Sequence, residues 1–505
     1  MGCLCSAHPE FISSTNMKPI SRRTVDSIAE IIYSPGDFIF SNSKSFYDIY
    51  ETDPVPLGAG LHGEIRKCRH KGTDAIRAVK IIKKECKSGI YLEDANVHRE
   101  VDVFKALDHP NILRMYEFFN SKTEYFLVLE YMDGGDLCDK IASGFHFSEK
   151  IIRSIMRQIL SGVSYLHKKK LVHRDIKPEN IVLASHIKDD EITLKIIDFD
   201  LTAKCPQGTR MKQVAGTLEY MAPEIFDRSY NEKFDLWSCG VIMFILFAGF
   251  NPFQGKSDAE TIRKIRRGRF NIESPRWINV SNDAKDLIRK LLEKDPEQRI
   301  SAEEACAHPW FKADWKEKES DDDLSNIFNK LRNYQRSSKL TESLSTFILS
   351  QVMSYKNFMN IQSAFQSLDL NCDGVISQSE LESFASCFIE SSPEVAAKEI
   401  MSQVDTDENG VIDYYEFLRA CIDPKEILCK ENLLKALRML GHGENALVTC
   451  SDLKKWLKSD SCLSQECTQE IIDELDPVGK ECFTPGYCEN HRQTATQQIR
   501  IGLLA

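Results

Sequence analysis

Four stretches of this chain carry residues at spacings that suit phosphate chemistry. LGAGLHGEI (57–65) sets Gly58, Gly60 and Gly63 in a G-x-G-x-x-G string. Without Cβ atoms, backbone N–H groups there can approach phosphate oxygens closely. IRAVK (76–80) ends in Lys80, a compact cation on a flexible stem. LVHRDIKPEN (171–180) and LKIIDFDLTAK (194–204) then supply Asp175, Lys177, Asn180 and Asp198. Between them they offer a proton acceptor, a second cation and two oxygen ligands of the hard type that Mg²⁺ prefers. A phosphoryl group in flight is loosely bonded and highly charged, so its transfer asks for positioning and cations more than for covalent help.

A second set of residues is acidic and repeated. DLNCDGVISQSE (369–380) places Asp369, Asn371, Asp373, the Val375 carbonyl, Ser377 (through water) and Glu380 around the turn at Gly374. DTDENGVIDYYE (405–416) does the same with Asp405, Asp407, Asn409, Val411, Asp413 and Glu416 around Gly410. These are the donor positions of a helix–loop–helix Ca²⁺ site, closed by a bidentate glutamate. Similar steps along the chain reach two decayed copies, GHGENALVTCSD from Gly441 and DPVGKECFTPGY, which begins at Asp476 and ends in Tyr487. With too few oxygens left, neither is expected to bind metal.

The elements that must hold these residues follow from pattern. Residues 76–80 alternate like a strand, and VHREVDVFKALDHPNIL opens a helical pattern bearing Glu100, an acid placed to pair with Lys80. The apolar run 194–197 delivers Asp198 and Phe199 to a turn where Asp200 stands instead of an expected glycine. Aspartate enters φ > 0 less readily than glycine, so modest strain is expected at 200, with an added negative charge near the phosphates. Between the two halves, IFNKLRNYQRSSKL (327–340) carries Lys330, Arg332, Arg336 and Lys339 and no acids, and Leu340, Leu344, Phe347, Ile348 and Val352 follow at helical spacing. A basic amphipathic helix beside loops whose neighbourhood, 361–420, has only Lys398 and Arg419 as bases reads as their tethered target.

The order of the phosphate motifs over 50–311 resembles the protein kinases, and the DIKPEN form resembles their Ser/Thr branch. That resemblance implies a bilobal α+β domain using Mg-ATP. It implies that Leu57, Gly58, Gly60, Gly63 and Ile65 cover the nucleotide and that Lys80, braced by Glu100, holds its phosphates. Glu130 to Met132, behind Leu129, would receive adenine. Asp175 would accept the substrate proton, Lys177 would neutralise the moving phosphoryl, and Asn180 and Asp198 would bind Mg²⁺. Glu224 with Arg299, and Asp235 beneath the catalytic loop, match the family's supporting ion pairs. Asp136 contacts either ribose or, with Glu179, an arginine of a basic protein substrate; both readings stand. Arg174 precedes the catalytic acid and invites an anion that the basic segment 201–217 lacks, which makes Thr209 a candidate phosphosite. The loss of the glycine leaves an alternative open, a calcium-responsive scaffold that binds ATP without transferring phosphate.

Kinase, junction and four helix–loop–helix repeats in this order resemble the calcium-dependent protein kinases of plants and protists, over about residues 50–490. The implied organisation is a flexible N-terminal extension (1–46), a kinase domain (47–311), an autoinhibitory junction (312–354), an all-α calmodulin-like domain (355–490) and a tail (491–505). The N-terminal MGCLCS fits an acylation pattern, with myristate on Gly2 and palmitate on Cys3 and Cys5, two lipid signals that together make a stable anchor. Net charge is -11, which argues against nucleic acid as partner. The 17 cysteines show no paired metal spacing and read as reduced cytosolic thiols. A monomer at the cytosolic face of a membrane, acting on protein substrates, is the resulting expectation.

Overall fold

The computed structural model describes residues 34–42, 45–60, 63–84, 94–184, 192–312, 321–337, 339–354, 357–389, 392–439, 448–449 and 482–483. The proposed acylation sites Gly2, Cys3 and Cys5 lie outside them, as do most of the two decayed loops. No described helix is long and apolar enough to cross a membrane.

A six-stranded sheet forms the smaller lobe: β1 (Phe40–Asn42), β2 (Tyr50–Gly60), β3 (Gly63–His70), β4 (Ile76–Lys83), β5 (Met115–Asn120) and β6 (Glu124–Leu129), in the order β1-β5-β6-β4-β3-β2. Val79, Ile81, Tyr125, Leu127 and Val128 are buried on its two faces, which is why β4 and β6 read as dense apolar runs. The glycine string closes the β2–β3 hairpin with Gly60 opposite Gly63. A Cβ on Gly63 would stand 1.8 Å from the Ile81 carbonyl oxygen, so only glycine fits there, whereas Gly58 has open space around it. The helix Asp94–Lys105 packs on this sheet and carries Glu100 inward, 4% exposed.

The larger lobe is helical. Ser148 caps the helix Glu149–Lys168 by accepting the Ile151 N–H. The helix Lys233–Ala248 is buried nearly all round and stops at Gly249, φ 77°, the left-handed terminus glycine permits. Its first turn brings Asp235 under the catalytic loop.

The second core is continuous from the junction into the calcium unit. Ile327, Phe328, Leu331, Phe347 and Ile348 are buried with Phe365, Leu381, Ile400 and Phe417. The junction therefore shares a core with the calcium unit rather than standing apart. Its expected single basic helix is broken. One helix covers Asp321–Asn333 and another Lys339–Phe347, and the latter runs into a wider π turn, Ile348–Val352. Arg336, in the break, donates to the Asp405 carbonyl and lies 3.5 Å from Glu408, so its charge meets the acidic loop as expected. The two calcium loops pair through Ile376 opposite Ile412. At the same loop positions of the decayed copies, Val448 stands opposite Phe483, which preserves the register of a second pair.

The flexible extension needs correction. Residues 35–38 form a 3₁₀ turn, and β1 adds to the sheet in parallel with β5, pairing Phe40 with Glu117. Phe38 joins the calcium-side core while its neighbour Ile39 joins the kinase core. The apolar run Phe38-Ile39-Phe40 after Pro35-Gly36 was the available signal.

Candidate active site and calcium loops

Three carboxylates enclose Lys80. Its Nζ lies 2.9 Å from Glu100, 3.2 Å from Asp198 and 2.5 Å from Asp200. Burial opposes the ammonium charge, but the three acids together hold the Lys80 pKa well above its usual range. Burial raises the Glu100 carboxyl; Lys80 opposes that shift and Asp200 reinforces it. Phe199 is buried between Phe104 (ring centroids 5.2 Å apart) and His173 (5.1 Å), which ties the Glu100 helix to the catalytic loop. The expected strain at Asp200 is absent. The left-handed residue is Asp198, φ 66°, and Asp200 needs no glycine-like backbone.

Asp175 is held from three sides. Thr217 Oγ1 donates to its Oδ1 at 2.7 Å, Lys177 Nζ lies 2.7 Å from Oδ2, and Asn180 Nδ2 donates to its carbonyl at 2.8 Å. The amide nitrogen being spent there, the Asn180 oxygen remains for a metal, so with the Asp198 carboxylate the donor set fits Mg²⁺. Asp235 supports the loop by accepting the N–H groups of His173 and Arg174, both at 2.9 Å, and a bond from His167 at 3.0 Å. Burial works against that carboxylate, yet these bonds keep its pKa low. Glu224 and Arg299 form the anticipated buried fork at 2.6 and 3.0 Å.

Other anticipated residues take different roles. The Glu130 carboxylate pairs with buried Lys195 at 3.1 Å and its backbone N–H donates to the Arg114 carbonyl at 2.9 Å, leaving its own carbonyl and the backbone of Tyr131 and Met132 for the base. Asp136 caps the helix Leu137–Ala142 by accepting the Asp139 N–H at 2.7 Å. Arg174 donates to the Leu201 carbonyl at 2.6 Å, to Gln213 and to Tyr230. Thr209 sits on an exposed turn and donates to the Pro206 carbonyl. The guanidinium is thus satisfied by neutral partners.

Backbone bonds to the first ligand turn both calcium loops. Asp369 accepts the N–H groups of Asp373 and Gly374, and Asp405 those of Asn409 and Gly410. Gly374 (φ 80°) and Gly410 (φ 86°) make the turns. Ser377 and Asp413 cap the helices that follow, each in a reciprocal box with the closing Glu380 or Glu416. In loop two, Asp405, Asp407 and Glu416 converge within 4.8 Å. Burial pushes Asp369 up to about 8, and Glu416 likewise to about 8. Clustered buried carboxyls of this kind suit a hard cation, so the donor set fits Ca²⁺.

The protein kinase domain model matches residues 52–311, and an EF-hand domain pair matches 358–422. Calcium-dependent protein kinase 5 of Plasmodium falciparum is 36% identical over 449 residues, covering 87% of this chain and 76% of that protein. Calcium-dependent protein kinase 4 of the same organism is 34% identical over 457 residues, covering 88% and 86%. The Plasmodium berghei calcium-dependent protein kinase 4 is 33% identical over the same length. The chain belongs to the calcium-dependent protein kinases. It is a calcium-activated Ser/Thr protein kinase with Mg-ATP as donor.

In this calcium-dependent kinase the two halves touch at residues that motif reading missed. Two arginines of the small lobe receive carbonyls freed by the π turn: Arg77 donates to Gln351 at 2.7 Å and Arg114 to Leu349 at 3.2 Å. The Arg114 guanidinium also faces the rings of Tyr415 (5.5 Å) and Phe358 (5.8 Å), while its backbone N–H meets Glu130. Lower down, Lys168 pairs with Asp373, a calcium ligand position, and Arg157 donates to the Gln366 carbonyl. Gly374 packs so closely that a Cβ would stand 2.6 Å from Tyr165 and 2.7 Å from His109. These contacts join residues far apart in sequence, and no local spacing announces them. The N-terminal strap completes the seam: Gly36 lies against the carbonyl of Lys105, at the end of the Glu100 helix, and Phe38 stacks edge-on to Phe347 at 5.4 Å.

Proposed function

We propose that calcium controls this kinase by setting whether the calcium unit docks on the kinase domain. In the docked arrangement the junction is withdrawn into the calcium-side core; at low calcium it leaves that core and covers the catalytic cleft. The observation that carries this reading is that one loop serves both purposes, because Asp373 pairs with kinase Lys168 and Gly374 lies on Tyr165. Filling the loops fixes their shape and with it the docking face. The strap and the two arginines then hold the Glu100 helix and the hinge from one side.

Within the cleft the roles are those of the resemblance. Gly58, Gly60, Gly63, Leu57 and Ile65 close over the nucleotide, and Lys80 holds phosphates against Glu100. Asn180 and Asp198 take the metal that offsets phosphate charge. Asp175 accepts the hydroxyl proton beside Lys177. Glu179 and the surrounding acids favour substrates with basic residues near the target Ser or Thr. Gly2, Cys3 and Cys5 anchor the chain by acylation at the cytosolic face of a membrane, supported by the pattern MGCLCS. The testing experiment is a calcium titration of phosphate transfer to a basic peptide by the full chain, beside Arg77→Ala with Arg114→Ala. The reading expects steep activation in the parent and a much lower plateau in the double variant. Equal plateaus would sink the docking account while leaving the kinase assignment intact.

A further inference from the structure

The aspartate that replaces the expected glycine is engaged with the residue that must hold the nucleotide phosphates. Asp200 Oδ1 is closer to Lys80 Nζ, at 2.5 Å, than either Glu100 at 2.9 Å or Asp198 at 3.2 Å. All three carboxylates gather within 4.8 Å of one another. An ammonium has three N–H donors and no more. With three acids around it, a phosphate oxygen can reach Lys80 only by taking a place from one of them. Glu100 is 4% exposed and fixed on its helix. Asp198 keeps a divalent ion as its alternative partner. Asp200 also lies against Glu100, and its side chain is 35% exposed beside 38% for Asp198; having no assigned place at the metal, it is the one that yields to phosphate. Its backbone has a negative φ, so nothing in the local geometry needs glycine there and nothing forces the carboxylate away.

We propose that Asp200 is a positioning residue acting through Lys80: it occupies the ammonium in the nucleotide-free enzyme, holds it and Glu100 in catalytic register, and competes with the phosphates of incoming nucleotide. The effect falls on ligands that carry phosphate and spares the nucleoside. It lowers affinity for Mg-ADP and Mg-ATP, raises KM for ATP, and leaves kcat less affected, because once the nucleotide is seated Asp200 has already been displaced.

The test compares the full calcium-loaded chain with Asp200→Gly and Asp200→Asn, measuring binding of adenosine and of ADP with and without Mg²⁺, and KM against kcat for ATP. A charge-assisted bond of this kind corresponds to roughly tenfold in an equilibrium. ADP should therefore bind about tenfold tighter to both variants, KM for ATP should fall by a similar factor, and adenosine affinity should not move. Weaker Mg-ADP binding in both variants, with metal-free ADP unchanged, would make Asp200 a metal ligand and overturn the proposal. So would a gain in Asp200→Gly that Asp200→Asn lacks, which would trace the effect to backbone freedom, or adenosine and ADP shifting together. Loss of adenosine binding in both variants would mean that Asp200 supports the fold instead. The inference rests on the phosphotransfer reading of the cleft. No nucleotide binding to the parent would defeat that reading, whereas an unshifted ADP affinity in the variants would defeat only this one.

Discussion

Gly374 and Gly410 occupy the same position in two consecutive calcium loops, both left-handed at φ 80° and 86°. They differ in what surrounds them. Gly410 has nothing within 4 Å of a built Cβ, while Gly374 would push one to 2.6 Å from Tyr165 and 2.7 Å from His109. Alanine at either site takes on the left-handed penalty of about 1–2 kcal/mol. At Gly374 it adds overpacking against the kinase domain, typically about 1–3 kcal/mol. The Gly410→Ala enzyme should need about tenfold more calcium for half-activation and reach the parent plateau. Gly374→Ala should show a similar shift and a lower plateau, because saturating calcium fills the loop without restoring its seat on Tyr165. Calcium titrations of peptide phosphorylation with the two purified variants measure both quantities. If their curves superimpose, the contact between loop one and the kinase domain carries no part of activation and the docking argument fails.

Glu380→Gln with Glu416→Gln removes the closing ligand of both loops and should abolish calcium stimulation, read as equal activity in chelator and in excess calcium. Phe38→Ala empties a site shared by strap and junction; losing a buried phenylalanine costs about 3–5 kcal/mol. Proteolysis near residues 34–42 should accelerate and the activated plateau should fall, and a protease pattern like that of the parent would refute the strap's role. Burial depresses His109 to about 3, so it stays neutral, accepting the Asn111 N–H and bonding Ser161. A depressed pKa stabilises fully above the unfolded value near 6.5, and that contribution is lost as pH falls toward 3. By pH 5 the loss is about 2 kcal/mol. Melting temperatures at pH 7 and pH 5 should differ less in His109→Asn than in the parent.

What was legible in the chain were the residues whose partners lie in the same motif or at a fixed place in a motif series. Lys80 pairs with Glu100 and both calcium loops turn at their glycines as the spacing suggests, and Glu224 pairs with Arg299 as the kinase resemblance implies. Even the decayed loops kept their register, Val448 opposite Phe483. The misread positions have causes of another kind. The strain assigned to Asp200 belongs to Asp198, since a single dihedral choice in a turn is not encoded by residue type alone. The break between Asn333 and Lys339 carries neither glycine nor proline, and it arises where Arg336 reaches the Asp405 carbonyl. Arg77, to which no spacing assigns a role, is 2% exposed, stacked over the Tyr116 ring at 3.6 Å and donating to the carbonyl of Gln351, far along the chain.

Lys168 and Asp373 place one carboxylate in two equilibria at once. In the docking reading, the joined form of the two halves tightens the grip on calcium by the same factor by which calcium favours the joined form. The threshold at which this enzyme responds is therefore a property of the whole assembly and not of its sensor. A severed calcium unit, lacking the lysine across the seam, would report a different set point.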